Sequence, residues 1–581
     1  MKKKIGLPIY LPTYLLLLTF QIHMYLFLFR RDLRWQDNTG LRELWRRFNS
    51  DPDPGKRFLA CYLSLSSSSF DAKYDKKILS SSFSSSLLSP ASSLYVLESV
   101  LDLSGRFPYL FVHFSLSYRD HPLSSSSLSE IDLLRRCLDD LYRIEPVTAL
   151  GFNREEESHP FARERDDALV KWCASRKIPC IVAPVDGDRT LLPFSLSTKE
   201  DGRPYTKFTP FRNRAWTVMA DKIRAPSLFF AVHFRELDRC PAQRRWVADL
   251  CRRISFSSSS SGKPLLDMDV VSTPVLRDMI VERRQQGCLS PLVRGGRTEA
   301  CRQLRRLVSL RSTYADRRNC LPYTTSLLSA PLSFGCLSIR EVYRKARQVF
   351  GPRSVFESEL WWREFYMTLV FHFPQLVLSS SLSSASSIDR FFFHPRWSLL
   401  KNKWNRPPYR VDHAWDRIRE ARTGFPVIDA SLRQLYHTGW MHNRARMFVT
   451  SFMGKDLFLP PSEIEQWWAR HLIDYSLPST FGGVSWTMGY GTDALPVNRI
   501  FNPWTQSRKF DPTGKFIHSW CPELRSVPAP RLHKWNVHHS SSLVSSYPAP
   551  MVDHDRQRQL FRSLIICLHR PTFKMLIDFN F

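Results

Sequence analysis

The chain has 581 residues, and 83 lysines and arginines against 54 aspartates and glutamates give it a formal net charge of +29. This length allows two or three domains, and the positive charge indicates a polyanionic partner, nucleic acid before an anionic membrane. The 12 cysteines form no CxxC pattern. This argues against a metal site or a disulfide framework and favours a reduced, intracellular protein, in a nucleus or an organelle.

Residues 1–23 contain three lysines followed by a long apolar run. Two prolines, a glutamine and a histidine interrupt that run, so a membrane span is not expected. We interpret 1–23 as a leader of unknown role, with the folded protein starting at Met24.

Apolar runs and amphipathic stretches alternate along residues 24–216. The apolar runs predict strands at 24–29, 108–114, 147–152 and 178–184, and the amphipathic stretches predict helices at 39–49, 129–144 and 160–177. Alternation of this kind predicts an α/β fold with a doubly wound parallel sheet.

The second half of the chain lacks strand signals. Residues 217–300 are a basic connector with little regular patterning, and 301–555 is predicted to be all-helical. Its amphipathic stretches are 338–350, 357–373, 426–438, 441–456 and 461–473. Residues 556–581 form an atypical tail. Six serine-rich runs are predicted to be disordered insertions, at 64–70, 80–93, 123–129, 255–262, 378–387 and 538–548.

Four long stretches, 26–41, 357–369, 422–457 and 491–524, resemble the DNA photolyase/cryptochrome family, closest to class I-like cyclobutane pyrimidine dimer photolyases. The resemblance implies an antenna domain at 24–216 and a helical FAD-binding catalytic domain at 301–555. It also implies a deoxyribodipyrimidine photo-lyase, which repairs pyrimidine dimers in DNA by electron transfer from light-excited reduced FAD. A monomer acting on DNA is expected. Cryptochromes of this family keep the flavin but signal instead.

Two groups of residues match the family's FAD site. The first is a Tyr followed by T-S-x-L-S, where hydroxyls and backbone N–H groups at a helix start suit phosphate; it comprises Tyr314, Thr325, Ser326, Leu328 and Ser329. The second group is expected around the flavin ring and comprises Arg363, Asn443, Arg444, Arg446, Asp474, Ser476 and Thr480. A buried carboxylate needs a cationic partner, and Arg446 is the candidate for Asp474.

Several positions depart from the family pattern. Leu327 stands where an arginine is frequent, Ser476 where a second carboxylate is expected, and Thr480 where many photolyases have asparagine. The usual tryptophan relay is replaced by Val484 and Pro461, and Trp404 is a distal candidate at altered spacing. Trp467 and Trp468 either substitute in electron transfer or are core aromatics.

The residues matching the dimer pocket are Glu359, Trp362, Asn443, Met447 and Trp486. Glu359 and Trp362, and likewise Asn443 and Met447, are spaced to share a helical face. Burial of Glu359 would favour a protonated carboxyl that hydrogen-bonds the lesion. Relatives repairing (6-4) lesions have histidine at the positions of Asn443 and Met447, which favours cyclobutane dimers here. His442 lies one step away, about 100° around the helix.

Further candidates concern DNA and the antenna. Arg433, Lys455, Arg508 and Lys509 are candidates for contacting DNA phosphates. The resemblance leaves the antenna chromophore open among a folate, a deazaflavin, another flavin and none, and Glu155 is a candidate for binding a folate. Three hypotheses remain open at this point: a dimer-repairing lyase, a cryptochrome-like blue-light signalling flavoprotein, and a degenerate chain.

Overall fold

The computed structural model describes residues 22–66, 89–109, 111–117, 130–155, 160–183, 189–226, 231–257, 268–286, 292–374, 411–489, 492–493, 496, 498–538 and 546–569. Nearly all of the leader, most of the serine-rich runs, Trp404 and the end of the tail therefore lie outside the described residues. Within the described ranges, no helix is both long and apolar enough to cross a membrane.

A six-stranded sheet forms the N-terminal part of the protein. Its strands are β1 (His23–Phe29), β2 (Lys56–Ser66), β3 (Phe111–Ser117), β4 (Val147–Asn153), β5 (Cys180–Ala183) and β6 (Met268–Val271). The order across the sheet is β5-β4-β1-β2-β3-β6. The first five strands are parallel, and β6 pairs with β3 in the antiparallel direction. The predicted doubly wound parallel sheet is confirmed.

Both faces of β1 are buried, which explains its continuous apolar sequence. Alternate side chains of a strand point to opposite faces. Tyr25, Phe27 and Phe29 pack into one core and the intervening residues into another. The first of these cores also contains Trp361 and Phe365 from the C-terminal helices. The sheet and the helical body therefore share a hydrophobic core.

Four helices accompany the parallel strands, Thr39–Ser50, Pro90–Arg106, Glu130–Ile144 and Pro160–Ser175. The second one begins inside the serine-rich run 80–93, so the interpretation of that run as an insertion is wrong at its C-terminal end. Ser89 caps the helix by accepting a hydrogen bond from the Ser92 N–H at 3.0 Å. The buried Ser92 hydroxyl then donates to the carbonyl of Leu472 at 2.9 Å. In this run, Ser89 therefore caps the helix and Ser92 binds the helix to the helical body.

The predicted connector contains more regular structure than its sequence indicates. It holds β6 and the helices Ala231–Arg239, Pro241–Ser257 and Thr273–Gln286, and it is preceded by Phe208–Arg214 with a π-turn at Ala215–Met219. Short 3-10 turns occur at Phe194–Leu196 and Ala220–Lys222. Arginines scattered around these helices obscure their apolar faces.

All the regular secondary structure of the C-terminal part is helical in its described residues. Its helices are Arg297–Arg306, Tyr314–Arg317, Ser329–Ser333, Ile339–Phe350, Val355–His372, Val411–Arg419, Pro426–Thr438, Asn443–Ser451, Pro461–His471, Leu477–Met488, Pro503–Phe510, Lys515–Trp520, Ala529–Leu532, Trp535–His538 and His554–His569. Each of the five predicted helices is present. The one predicted at 441–456 ends as an α-helix at Ser451 and continues as a π-turn, Phe452–Asp456.

Candidate functional site

The Asn443–Ser451 helix carries the densest group of candidate residues. The preceding helix ends at Gly439, whose left-handed φ of 69° turns the chain. His442 then caps the new helix, because its Nδ1 accepts a hydrogen bond from the Arg444 N–H at 3.1 Å. Burial, followed by the charges of Arg444 and Arg446, lowers the pKa of His442 to about 4. His442 is therefore a neutral capping residue near pH 7.

Arg446 and Asp474 form the predicted ion pair. Arg446 Nη2 donates to Asp474 Oδ2 at 2.9 Å, and its Nε donates to the carbonyl of Met441 at 2.9 Å. The Asp474 side chain is 2% exposed, and its second oxygen, Oδ1, is buried without a hydrogen-bond partner among the described residues. Buried polar atoms are nearly always hydrogen-bonded. A ligand with an N–H donor fits this oxygen.

Arg444 points to the other side of the same helix. Its Nη2 donates to Asn319 Oδ1 at 2.7 Å, and its guanidinium lies 4.8 Å from the ring centroid of Phe510. Burial, together with the charges of Arg318 and Arg499, lowers the pKa of Arg444. Cations held this close together indicate an anionic ligand.

Glu359 is ion-paired with Arg318, a residue that the sequence analysis missed. The Glu359 side chain is 34% exposed. The deep burial expected for Glu359 is therefore not observed, and its carboxyl group is bound by Arg318. The sequence contains one feature that could have identified Arg318. Arg318 follows Tyr314 by four residues, so the two residues share one side of a helical turn.

The predicted phosphate-binding segment is a single short turn. Thr325 and Ser326 are partly buried and Ser329 is exposed, and Leu328 precedes the five-residue helix Ser329–Ser333. Leu327 adopts a left-handed φ of 57° and is 2% exposed. This position therefore packs into the core, and the cationic contact that arginine would supply is absent from this segment. Phosphate binding here would depend on hydroxyls and backbone N–H groups.

Tyr314, the first residue of the predicted phosphate-binding group, is 8% exposed, and its ring centroid lies 5.0 Å from that of Phe356. Burial and the nearby Glu359 raise its pKa. Arg363 donates to the carbonyl of Arg189 at 2.9 Å, so at least one of its nitrogens holds the helical body against the N-terminal part.

The predicted lesion residues lie on three helices. Asn443 is exposed and Met447 is partly buried on one face of the Asn443–Ser451 helix, while Trp486 is partly buried on the Leu477–Met488 helix. Trp362 stacks on Phe208, with ring centroids 3.5 Å apart and an angle of 12°. One face of Trp362 is thus already covered by an aromatic ring.

Three departures from the family pattern lie on the Leu477–Met488 helix and its cap. Ser476 occupies the N-cap position but makes no side-chain capping hydrogen bond, and Thr480 is partly buried. Val484 is 3% exposed and packs in the C-terminal core. No aromatic ring occupies these three positions.

Trp467 and Trp468 are both core residues, 6% and 2% exposed. Their ring centroids are 4.8 Å apart, and Trp467 lies 6.3 Å from the ring of Tyr436. The indole of Trp468 donates to the Thr450 hydroxyl at 3.2 Å. A role in electron transfer stays a prediction.

The four candidates for DNA contact divide into two groups. Arg508 and Lys509 are exposed on the Pro503–Phe510 helix. Arg433 makes a two-pronged ion pair with Glu523, at 2.7 and 2.9 Å. Lys455 is fully buried and donates to the carbonyl of Arg499 at 2.8 Å. The prediction is wrong for Lys455, because its ammonium cannot reach a phosphate.

Glu155 lies at the carboxyl end of β4 and is 5% exposed. It accepts hydrogen bonds from the Arg31 backbone N–H and from Arg165 at 2.8 Å. Burial alone would raise the pKa of Glu155, but Arg165, Arg30 and other arginines lower it overall. Its oxygens thus serve an internal network, which gives no support to a folate-binding role. In the described part of the chain, no group of three His, Cys, Asp or Glu residues could hold a metal ion.

A parallel sheet is thus followed by a helical body in which Arg446 pairs with a buried carboxylate whose second oxygen has no partner among the described residues. This combination suits a ligand that carries an N–H group. Two family models match this chain, the DNA photolyase model at residues 25–227 and the FAD binding domain of DNA photolyase at 356–565.

Comparison with individual relatives shows that the sequence similarity extends along most of the chain. A deoxyribodipyrimidine photo-lyase of Salmonella typhimurium is 29% identical over 539 residues, covering 91% of this chain and 96% of the relative. One of Alkalihalophilus pseudofirmus is 30% identical over 417 residues, covering 68% and 74%. The crystal structure of a class III photolyase from Agrobacterium tumefaciens has the same fold, with a TM-score of 0.66 at 22% identity, covering 94% of this chain and 98% of that one.

The chain belongs to the DNA photolyase family. The family's FAD-binding domain is present, and the named relatives are lyases. The chain's own residues fit a flavin dinucleotide, because Asp474 Oδ1 offers an acceptor and the arginines offer positive charge.

Proposed function

We propose that this protein repairs cyclobutane pyrimidine dimers in DNA, acting as a monomer with light-excited reduced FAD. The observation that carries this proposal is the ion pair between Arg446, on the Asn443–Ser451 helix, and the buried Asp474, whose Oδ1 has no hydrogen-bond partner among the described residues. On the same helix, Arg444 lies close enough to Glu359 for their charges to interact, and Asn443 and Met447 share one face. Neither of those two positions is histidine, which argues against proton transfer to a (6-4) lesion.

The residues of this chain bind and orient the two ligands. FAD, when bound and reduced, supplies an electron after it absorbs blue light. Asp474 would hold the flavin ring through an N–H group, with Arg446 fixing the position of the carboxylate. Glu359, Asn443 and Met447 would contact the flipped-out lesion, whose extrusion from the duplex costs a few kcal/mol.

Exposed basic residues would supply the contact to the DNA backbone. Arg508 and Lys509 extend from one exposed helical turn. Two phosphate contacts in single-stranded DNA correspond to a slope of about −1.4 in the logarithm of affinity against that of salt concentration. Replacing both residues with alanine should reduce the measured salt slope by about this amount.

A second candidate, blue-light signalling without repair, is favoured by the departures near the flavin. Thr480 and Ser476 replace an amide and a carboxylate that the resemblance leads us to expect, and Val484 replaces a tryptophan. These changes bear on which redox form of the flavin persists more than on whether it binds.

One experiment separates the two candidates. Protein containing chemically reduced FAD is mixed with a short single-stranded oligonucleotide containing one thymine dimer, in blue light and in the dark. We expect restored thymines only in the light, and strongly reduced repair in Glu359→Gln. Bound FAD without light-dependent repair would overturn the proposal and support signalling.

A further inference from the structure

Trp362, one of the residues that match the lesion site, is held by an aromatic ring from the N-terminal part of the protein. The Phe208 ring lies parallel to the indole, with ring centroids 3.5 Å apart and an angle of 12°. Phe208 is 3% exposed, whereas Trp362 is only partly buried. The indole therefore has one face covered from within the protein, while part of it stays accessible to solvent.

The backbone of Phe208 is fixed as well as its ring. Phe208 is the first residue of the Phe208–Arg214 helix, and the first N–H groups of a helix have no partner within it. The Phe208 N–H donates a hydrogen bond to the carboxylate of Asp493, on the segment that follows the Leu477–Met488 helix. Ring and backbone of one residue are thus held by two different elements of the helical body.

Trp362 is also connected to the second aromatic residue that matches the lesion site, Trp486. The rings of Trp362 and Tyr366 have centroids 5.5 Å apart and an angle of 28°. Tyr366 in turn lies against Gly482, where a Cβ would come within 2.3 Å of its ring. Gly482 and Trp486 are four residues apart on one helix and share a side of it. Packed rings therefore run from the N-terminal part to both helices.

An aromatic ring receives a ligand more tightly when its orientation is fixed beforehand. Flipped-out bases are bound by stacking against aromatic and apolar side chains. Ordering one such side chain during binding lowers the affinity by about two- to tenfold. Phe208 restricts the torsions of Trp362 before any DNA arrives, because a parallel ring at 3.5 Å leaves the indole no room to tilt toward it.

We propose that Phe208 is a positioning residue of the lesion site, which holds the Trp362 indole in the orientation that receives one pyrimidine ring of the dimer. Phe208 itself does not contact DNA in this arrangement, because it is almost fully buried. An undamaged strand gains nothing from the fixed indole, since its bases are not flipped into the site. The N-terminal part of the protein thereby contributes to substrate selectivity. The inference rests on the proposed function, whose lesion site it deepens.

The test is a fluorescence anisotropy titration in the dark, with the FAD-containing protein and two labelled single-stranded oligonucleotides. One carries a single thymine dimer and the other is undamaged. Phe208→Leu removes the stacked ring and keeps an apolar side chain. We expect its dissociation constant for the dimer to rise about three- to tenfold, while that for the undamaged strand stays the same. Phe208→Met, which has a flexible apolar side chain, replaces this variant if it loses bound FAD.

A matched control lies on the same helix. Phe211 is fully buried and packs edge-on against Trp361, with ring centroids 6.1 Å apart and an angle of 75°. Phe211→Leu makes the same chemical change next to a tryptophan that does not match the lesion site. It should lower the stability of the protein and leave the preference for the dimer at the wild-type level.

A double-mutant cycle tests whether Phe208 acts through the indole. Trp362→Leu alone should bind the dimer more weakly than the wild type. Adding Phe208→Leu to Trp362→Leu should cause no further loss of preference for the dimer, because no indole is left to position.

The outcomes separate the inference from the function beneath it. An unchanged preference for the dimer in Phe208→Leu, or an equal loss in Phe211→Leu, overturns the inference and leaves the repair proposal intact. A further loss of the same size in the double variant also overturns it, because Phe208 would then act independently of Trp362. A wild-type protein that binds both oligonucleotides equally overturns the repair proposal and this inference together.

Discussion

Lys455 should make the stability of this protein unusually dependent on pH. It is fully buried beside Asp456 at the π-turn, where its ammonium donates to the carbonyl of Arg499 at 2.8 Å. Burial lowers the pKa of Lys455 from the usual 10.5 to about 7. Lys455→Met keeps a long, flexible side chain of similar shape and removes the titrating group.

The sign and size of the effect follow from proton linkage. Below about pH 7 the lysine is protonated in both the folded and the unfolded chain, so the folded state bears the whole cost of the buried charge. Between about pH 7 and 10.5 only the unfolded chain keeps the proton, so the free energy of unfolding rises with pH. The difference between the two pKa values corresponds to about 5 kcal/mol, which is an upper limit.

The measurement is urea unfolding of the wild type and Lys455→Met across the range from neutral to mildly alkaline pH. The stability difference between them should change by up to about 1.4 kcal/mol for each pH unit, with the wild type gaining relative to the variant. Lys509→Met, at an exposed position, is the matched control and should show no such trend. A constant difference between wild type and Lys455→Met would refute the reasoning.

Three further predictions concern the site and its supports. Asp474→Asn should lose bound FAD and lower the free energy of unfolding by about 1–3 kcal/mol, measured by flavin absorbance and urea unfolding, because Arg446 loses its partner; full FAD retention would contradict it. Gly439→Ala should lower the free energy of unfolding by about 2–3 kcal/mol, because φ is 69° and a Cβ there would lie 2.3 Å from the Ala91 Cβ. A decrease below about 0.5 kcal/mol would contradict this prediction. Trp468→Phe should lower the free energy of unfolding by about 1–2 kcal/mol. If the indole ring carries electrons, the same change should slow the photoreduction of oxidised FAD in the presence of a reductant. An unchanged rate of photoreduction would show that Trp468 is a core residue only.

The parallel sheet was predictable wherever a strand is apolar along most of its length. β1 and β4 are such strands, because both of their faces are buried. β2 was missed because its second half runs into the serine-rich stretch 64–70, whose composition resembles a loop. β6 (Met268–Val271) was missed because Asp269 interrupts its short apolar run.

The residue types of the site were predictable, whereas most of their partners were not. Arg446 and Asp474 are 28 residues apart, and their pairing could be inferred because a buried carboxylate requires a cation. No comparable requirement connects Arg318 with Glu359, 41 residues apart, or Arg444 with Asn319, 125 residues apart. Such pairs depend on how helices pack, which local sequence does not specify.

The predictions for Lys455 and Glu359 were wrong in opposite directions and for the same reason. Composition places lysine on the surface and the resemblance places glutamate in a closed pocket, but the free protein has a buried lysine and a partly exposed, paired carboxylate. A group's charge follows from its neighbours and its access to water, not from its type. For Lys455, the folded structure removes water and leaves the ammonium one backbone carbonyl as acceptor. Its protonation state is therefore set by the fold, and unfolding studies across pH can reveal it where the sequence alone cannot.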